Sequence, residues 1–285
     1  MSQPTASPVV TWHGELALRY WRDGEATRAH DRHHGPLRVL QALYPEGPGI
    51  CHHVLVHPPG GVVGGDELVI QASLEAGTHA LITTPGATRF YRSDDAPAAQ
   101  RAHLQVAAGA RLEWLPLETL AYPGCRAENL VRAELAPGGE MIGWDILALG
   151  LPASGQPFVT GWFRQHLELP GVWLERGRIA AGDAVLLDSP VGWAGHRVLA
   201  TLWFAAGSAL DANRREALVE SARELIAGNE LAATAGVTAV QAPVVVLRVL
   251  ARGVEPALAL LRQVRAAWRQ AGWQLAEEAP RVWRV

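Results

Sequence analysis

The chain contains no lysine: all 25 of its basic residues are arginines. A Walker A phosphate loop, a Schiff base and a Ser–Lys dyad each need a lysine side chain, so all three are excluded. Cysteine is scarce. Cys51 and Cys125 form no C-x-x-C pair, and neither a disulfide framework nor a structural zinc site is expected. No apolar run is long enough to span a bilayer; the longest, Ala242 to Leu250, is interrupted by Arg248. Met1-Ser2-Gln3-Pro4-Thr5 lacks the basic and apolar regions of a signal peptide, which makes the cytoplasm the expected compartment. Nor is there an excess of one charge. The formal net charge of −3 provides no global field for nucleic acid or a membrane surface.

Apolar residues, glycine and proline are plentiful. Of 285 residues, 49% are hydrophobic, 29 are glycine and 19 are proline. Mean hydropathy is +0.05, which points to a partner covering apolar surface, some of it near the C-terminal helices. Abundant turn residues favour many short strands. From Thr11 to about Ala205 the dominant period is two. Strands are expected at 12–20, 67–74, 80–84, 111–115, 160–164 and 198–204. A weak repeat links several of them, an aliphatic strand end followed by a glycine turn and a new strand. It recurs at Leu74–Gly77, Val106–Gly109, Leu135–Gly138 and Ile179–Gly182, the last leading to Val185-Leu186. Stacked β units and ordinary hairpins of an antiparallel sandwich both fit.

After Gly207 the period changes. Asp211 can cap a helix over 212–227 that ends at Gly228-Asn229. A strand pair is expected at 237–240 and 243–249. A second helix should span 256–271, with Pro256 in its first turn and Gly272 stopping it. The expected organisation is a disordered 1–10, a large helicoidal, solenoid-like or sandwich β-domain over 11–206, and an α+β segment over 207–285 packed on it as one body.

Two segments stand out. In His57-Pro58-Pro59-Gly60-Gly61-Val62-Val63-Gly64-Gly65-Asp66, two glycine pairs permit sharp turns and close backbone approach. No Lys-Ser/Thr or helix follows, so neither a phosphate loop nor a dinucleotide fingerprint fits. Asp66 either bonds its own turn or points a carboxylate into a polar interior path. In Thr83–Ser93 the chain leaves one strand, turns at Pro85-Gly86 and starts another, and its hydroxyls and Arg89 either line a channel or satisfy strand ends. Cys51, His53 and His57 fall on one face of a strand, where transient metal contact is one reading and ordinary side-chain packing the other. No catalytic triad is evident: Ser154-Gly155 is not a nucleophile elbow.

In order along the chain, Gly35-Pro36-Leu37, Tyr44-Pro45-Glu46, Cys51-His52, the 57–66 block, 83–93 with Tyr91-Arg92-Ser93, Leu112-Glu113-Trp114-Leu115-Pro116, Gly143-Trp144-Asp145, Leu149-Gly150 and Pro280-Arg281-Val282-Trp283 resemble the UreD/UreH family of urease accessory proteins. The resemblance covers Trp12 to the end. Pro85, Arg89 and Leu151 stand where members often carry Gln, Lys and Arg; Leu151 puts a family role for that position in doubt. The resemblance implies a mainly β helicoidal fold with two helices and a non-catalytic scaffold. It implies binding to apo-urease, to accessory protein F and, through F, to the GTPase accessory protein G. Ni²⁺ would then be cargo in transit, with no tightly bound cofactor. Gly60, Gly61, Gly64, Gly65, Tyr91 and Arg92 become structural motif residues. Positions matching Asp66, Thr88, Asp145 and Glu175 line an interior passage in the family. A runner-up from another class is a cytoplasmic β-solenoid carbohydrate-active enzyme using a carboxylate pair.

Overall fold

The computed structural model describes residues 11–94 and 96–284, so the expected disordered 1–10 lies outside the described residues. The chain runs through β1 (His13–Asp23), β2 (Ala26–His34), β3 (Arg38–Val39), β4 (Ile50–Val56), β5 (Glu67–Leu74), β6 (His79–Thr83) and β7 (Thr88–Phe90). It continues through β8 (Ala98–Val106), β9 (Arg111–Leu115), β10 (Thr119–Ala121), β11 (Arg126–Leu135), β12 (Glu140–Leu149), β13 (Trp162–Leu169) and β14 (Trp173–Ala180). α1 (Ala184–Asp188), β15 (Val198–Ala206), α2 (Ala212–Ala227), β16 (Ala235–Gln241), β17 (Val244–Ala251) and α3 (Val254–Trp273) complete it.

The repeat is a solenoid. β5, β8, β11 and β13 are parallel neighbours in one sheet, and β6, β9 and β12 are parallel neighbours in the other. Gly77, Gly109 and Gly138 turn the chain between the sheets, with φ of 71°, 69° and 82°. These corners stack, and Gly109 N–H donates to Gly138 C=O at 2.9 Å. β7 and β10 form a short third side, with β10 also beside β12. Antiparallel strands flank the coils: β2 on β1, β14 on β13, and β15, β17 and β16 beyond β12. The first sheet therefore reads β14-β13-β11-β8-β5-β1-β2 and the second β16-β17-β15-β12-β9-β6-β4-β3.

One apolar layer fills the space between the sheets, with Leu16, Leu68, Leu104, Val131, Phe163, Trp114 and Trp203 in it. A second lies between the other face of the second sheet and α2/α3, around Trp144, Phe204, Leu218, Leu261 and Trp268. The second sheet is covered on both faces, which is why β12 is buried along nearly its whole length.

Several local expectations differ from the structure. The fourth repeat does not continue into a strand: 184–188 forms α1, whose first turn is capped by Asp183 accepting from Leu186 N–H at 3.0 Å. The strand expected at 160–164 begins at Trp162, because Gly161 turns the corner at φ 95°. α2 spans the expected residues and Asp211 caps it. Gly272 does not stop α3, which ends after Trp273 with Gln274 left-handed at φ 57°. Gly272 lies inside the helix because a Cβ there would come within 2.6 Å of the Phe204 ring. Among the described residues, the large exposed hydrophobics include Trp12, Leu40, Leu43, Val63, Val185 and Val191, and none lies on α2 or α3. Both helices turn their apolar faces onto the second sheet.

Candidate functional site

The two glycine-rich segments form one structure. Val62 N–H donates to Arg89 C=O at 2.7 Å, and Tyr91 N–H donates back to Val62 C=O at 2.9 Å. A Cβ on Gly61 would lie 2.0 Å from the Tyr91 ring, and one on Gly64 would lie 2.2 Å from Ser93 Oγ. Gly60 and Gly65 take positive φ of 77° and 87°. Arg92 is exposed and pairs with Asp94 at 2.8 Å. Asp66 closes the block, its carboxylate accepting from Trp12 N–H at 2.9 Å and Val63 N–H at 3.1 Å.

Between this corner and the sheets opens a cleft of about 240 Å³ lined by His57, Gly60, Thr88, Arg89, Gln100 and Trp114. Gln100 begins a chain of polar side chains that crosses the apolar layer. It donates to Asn129 Oδ1 at 3.3 Å, and Asn129 donates to Asp145 Oδ2 at 2.7 Å. Gln165 donates to Asp145 Oδ1 at 2.5 Å. The charge of Glu175 reaches Asp145. Glu175 accepts from Thr201 Oγ1 at 3.4 Å and from Arg248 Nε at 2.7 Å. Arg248 in turn lines a second cleft of about 580 Å³ with Trp193, Leu199, Thr234 and Gly236. The row of polar groups thus reaches from one surface cleft to another, hydrogen-bonded except between Asp145 and Glu175, where Thr201 stands in register beside Asp145 and bonds Glu175. A larger hollow of about 620 Å³, lined by Arg19, His30, Arg32, His103 and Arg132, lies on the outer face of the first sheet and does not join it.

Strand geometry builds this line. Gln100, Asn129 and Gln165 are aligned across β8, β11 and β13, while Asp145, Thr201 and Arg248 are aligned across β12, β15 and β17. Two polar rows from facing sheets therefore meet. Burial pushes the Asp145 carboxyl up to about 6; the Gln165 hydrogen bond opposes this, Glu175 adds to it and the Asn129 hydrogen bond opposes it too. The indole N–H of Trp114 is buried without a protein partner beside the first cleft, a donor suited to water in such a path.

Of the sulfur and imidazole candidates, Cys51 and His53 lie on β4 and are buried. Tyr20 Oη and His53 Nδ1 are hydrogen-bonded at 2.8 Å. Burial holds His53 down to about 4 and pushes the Cys51 thiol up to about 11, so neither a charged imidazole nor a ready thiolate is present at neutral pH. His57 lines the first cleft, where burial lowers its pKa and Asp66 pulls it back. Among the described residues no group of three or more His, Cys, Asp or Glu is placed to hold a metal.

The opposite face of the second sheet carries a buried ionic clamp. Glu113 on β9 accepts from Arg265 Nε at 2.7 Å and pairs with His79 at 3.1 Å. Arg269 bonds Glu46, which also pairs with His52 at 2.8 Å. Burial alone would raise the Glu113 carboxyl; Arg265, the His79 hydrogen bond and Arg269 hold it well below the usual carboxylate range. This clamp fixes α3 to the sheet.

Of the four passage candidates, Asp145 and Glu175 lie on the line and Thr88 lines the first cleft, whereas Asp66 is not in that cleft's lining and has both oxygens engaged by backbone. Asn129, Gln165, Thr201 and Arg248 were not singled out. The first two carry a readable signal, a lone amide at an inward position of the apolar alternations Ala127-x-Asn129-x-Val131 and Phe163-x-Gln165-x-Leu167.

A family model described as UreD urease accessory protein matches residues 13–284. A protein of Leptothrix cholodnii named urease accessory protein UreD is 62% identical over 278 residues, covering 97% of this chain and 100% of that one. A Polaromonas naphthalenivorans protein of the same name is 59% identical over 274 residues, covering 96% and 99%. One from Methylibium petroleiphilum is 55% identical over 296 residues, covering 97% and 100%.

Proposed function

We propose that this chain, which belongs to the UreD family of urease accessory proteins and so serves urease maturation, is a non-catalytic scaffold whose interior polar line passes Ni²⁺ toward apo-urease. In this reading accessory protein F binds the chain and joins it to accessory protein G, the GTPase. The observation that supports it is the line from Gln100 through Asn129, Asp145 and Glu175 to Arg248, leading from one cleft to another through a layer that is mainly apolar. Polar groups are costly to bury, and these serve no sheet or helix cap.

The donor chemistry suits a conduit. Carboxylate, amide and hydroxyl oxygens attract a divalent cation without the closed imidazole and thiolate set that would retain nickel. Thr88 lies at the entrance, and the charge of Asp66 reaches the neighbouring His57. A glycosidase pair must face an open sugar site. Here Asp145 is held by two amides and Glu175 by Arg248 and Thr201.

The test is co-expression of Asp145→Ala with the urease subunits and accessory proteins F and G. The complex should co-purify as with wild type while urease recovers less nickel. Loss of the complex itself would assign Asp145 a structural role, and full nickel loading would refute the route.

A further inference from the structure

We infer that Arg248 is the release residue of the polar line, a fixed cation that occupies Glu175 and keeps the Asp145/Glu175 carboxylate pair from retaining a divalent metal. The inference rests on the nickel-passage reading above and assigns a role within it to a side chain outside the four passage candidates.

The geometry has three parts. Arg248 reaches Glu175 with both Nε and a terminal nitrogen, the Nε contact being 2.7 Å. Glu175 is otherwise engaged only weakly, by Thr201 at 3.4 Å. Asp145, the neighbouring carboxylate, has neutral amide partners, Asn129 and Gln165, and no arginine of its own. The guanidinium is therefore a positive charge bonded to one member of this carboxylate pair, Glu175. It is also the more solvent-facing partner: 41% of its side chain is exposed, against 19% for Glu175, and it lines the second cleft.

A cation moving along the line meets two neighbouring carboxylates, Asp145 and Glu175. Without Arg248 the two carboxylates, a hydroxyl and an amide oxygen would form an oxygen-rich trap for a divalent ion. With Arg248 the trap is occupied by an internal cation that an arriving metal must displace, and that returns when the metal leaves. Passage needs sites that bind weakly enough to release, and a tethered competing charge supplies this.

Equilibrium dialysis of the full chain against NiCl₂, with the chain held in solution by accessory protein F, tests the assignment. Arg248→Gln should retain Ni²⁺ at least about tenfold more tightly than wild type, because one opposing charge beside two carboxylates is removed. Arg248→Lys should release metal like wild type, and Arg248→Gln combined with Glu175→Gln should lose the added retention. No added retention in Arg248→Gln overturns the inference, as does retention that survives the Glu175→Gln change or that appears equally in Arg248→Lys. These readouts are independent of urease activity. If Arg248→Gln retains nickel while Asp145→Ala loads urease normally, the passage reading fails and the carboxylate trap stands. If Asp145→Ala lowers loading while Arg248→Gln retains none, only the arginine assignment fails.

Discussion

Asn129 on one sheet donates its side-chain amide to Asp145 on the other across 2.7 Å, so a buried carboxylate is held by neutral partners rather than by an arginine. Its pKa rises from 3.8 to about 6, burial being the leading cause. A raised folded-state value means that the group's contribution to stability is complete below about pH 4 and is lost as pH rises through 6. Two units correspond to about 3 kcal/mol. Relative to Asp145→Asn, the wild-type chain should lose roughly that amount between pH 4 and pH 7. Denaturant titrations of both proteins across this range measure it, and a pH-independent difference would show that folding does not raise the Asp145 pKa. His53, held to about 4 by burial, acts with the opposite sign in both proteins and cancels in the comparison.

Gly61 and Tyr91 belong to separate sequence blocks yet leave no room for a methyl group between them. Gly61→Ala should cost about 1–3 kcal/mol by overpacking. In a Tyr91→Ala background the same change should cost much less. Equal costs in the two backgrounds would place the strain elsewhere.

Glu113 is fully buried against Arg265, with Arg269 and His79 close by. Glu113→Gln should destabilise the chain by about 3–5 kcal/mol, since it leaves buried guanidinium groups without their anion. The depressed carboxyl pKa makes the pairing stabilising above the unfolded value of 4.5 and lost as pH falls through the folded one. Thermal melts near neutral pH read the mutational cost, and a shift of only a degree or two would contradict it.

Much of this architecture is legible in the sequence. Period-two strands and recurrent glycine corners pointed to a β fold, and Asp211 with Gly228 bounded α2 because capping is local chemistry. The choice between stacked coils and hairpins was not legible, since both use the same turns. It is settled by parallel neighbours some 30 residues apart, as in Leu68 beside Gln100 and Gln100 beside Asn129. Gly272 misled for a tertiary reason: the Phe204 ring demands a glycine within the helix. Asp145 was visible as an anomaly in an apolar strand, whereas the Glu175–Arg248 pair spans 73 residues and two sheets, beyond the reach of any local pattern.

Trp12, Leu40, Leu43 and Val63 are large apolar side chains left exposed near the N-terminal end of the described chain. If partner binding covers them, replacing Leu40 and Leu43 by Ser should improve the solubility of the isolated chain and weaken its capture by accessory protein F. Pull-down and sedimentation of the double variant check both halves. Unchanged capture would move the interface elsewhere.

The central claim is that a cation crosses the layer at Asp145. Its most direct test is the nickel content of urease purified after co-expression with Asp145→Ala, measured as metal per active site beside a wild-type control. The account predicts an intact accessory complex and a clear fall in nickel per site. A wild-type nickel content with the complex intact would contradict it.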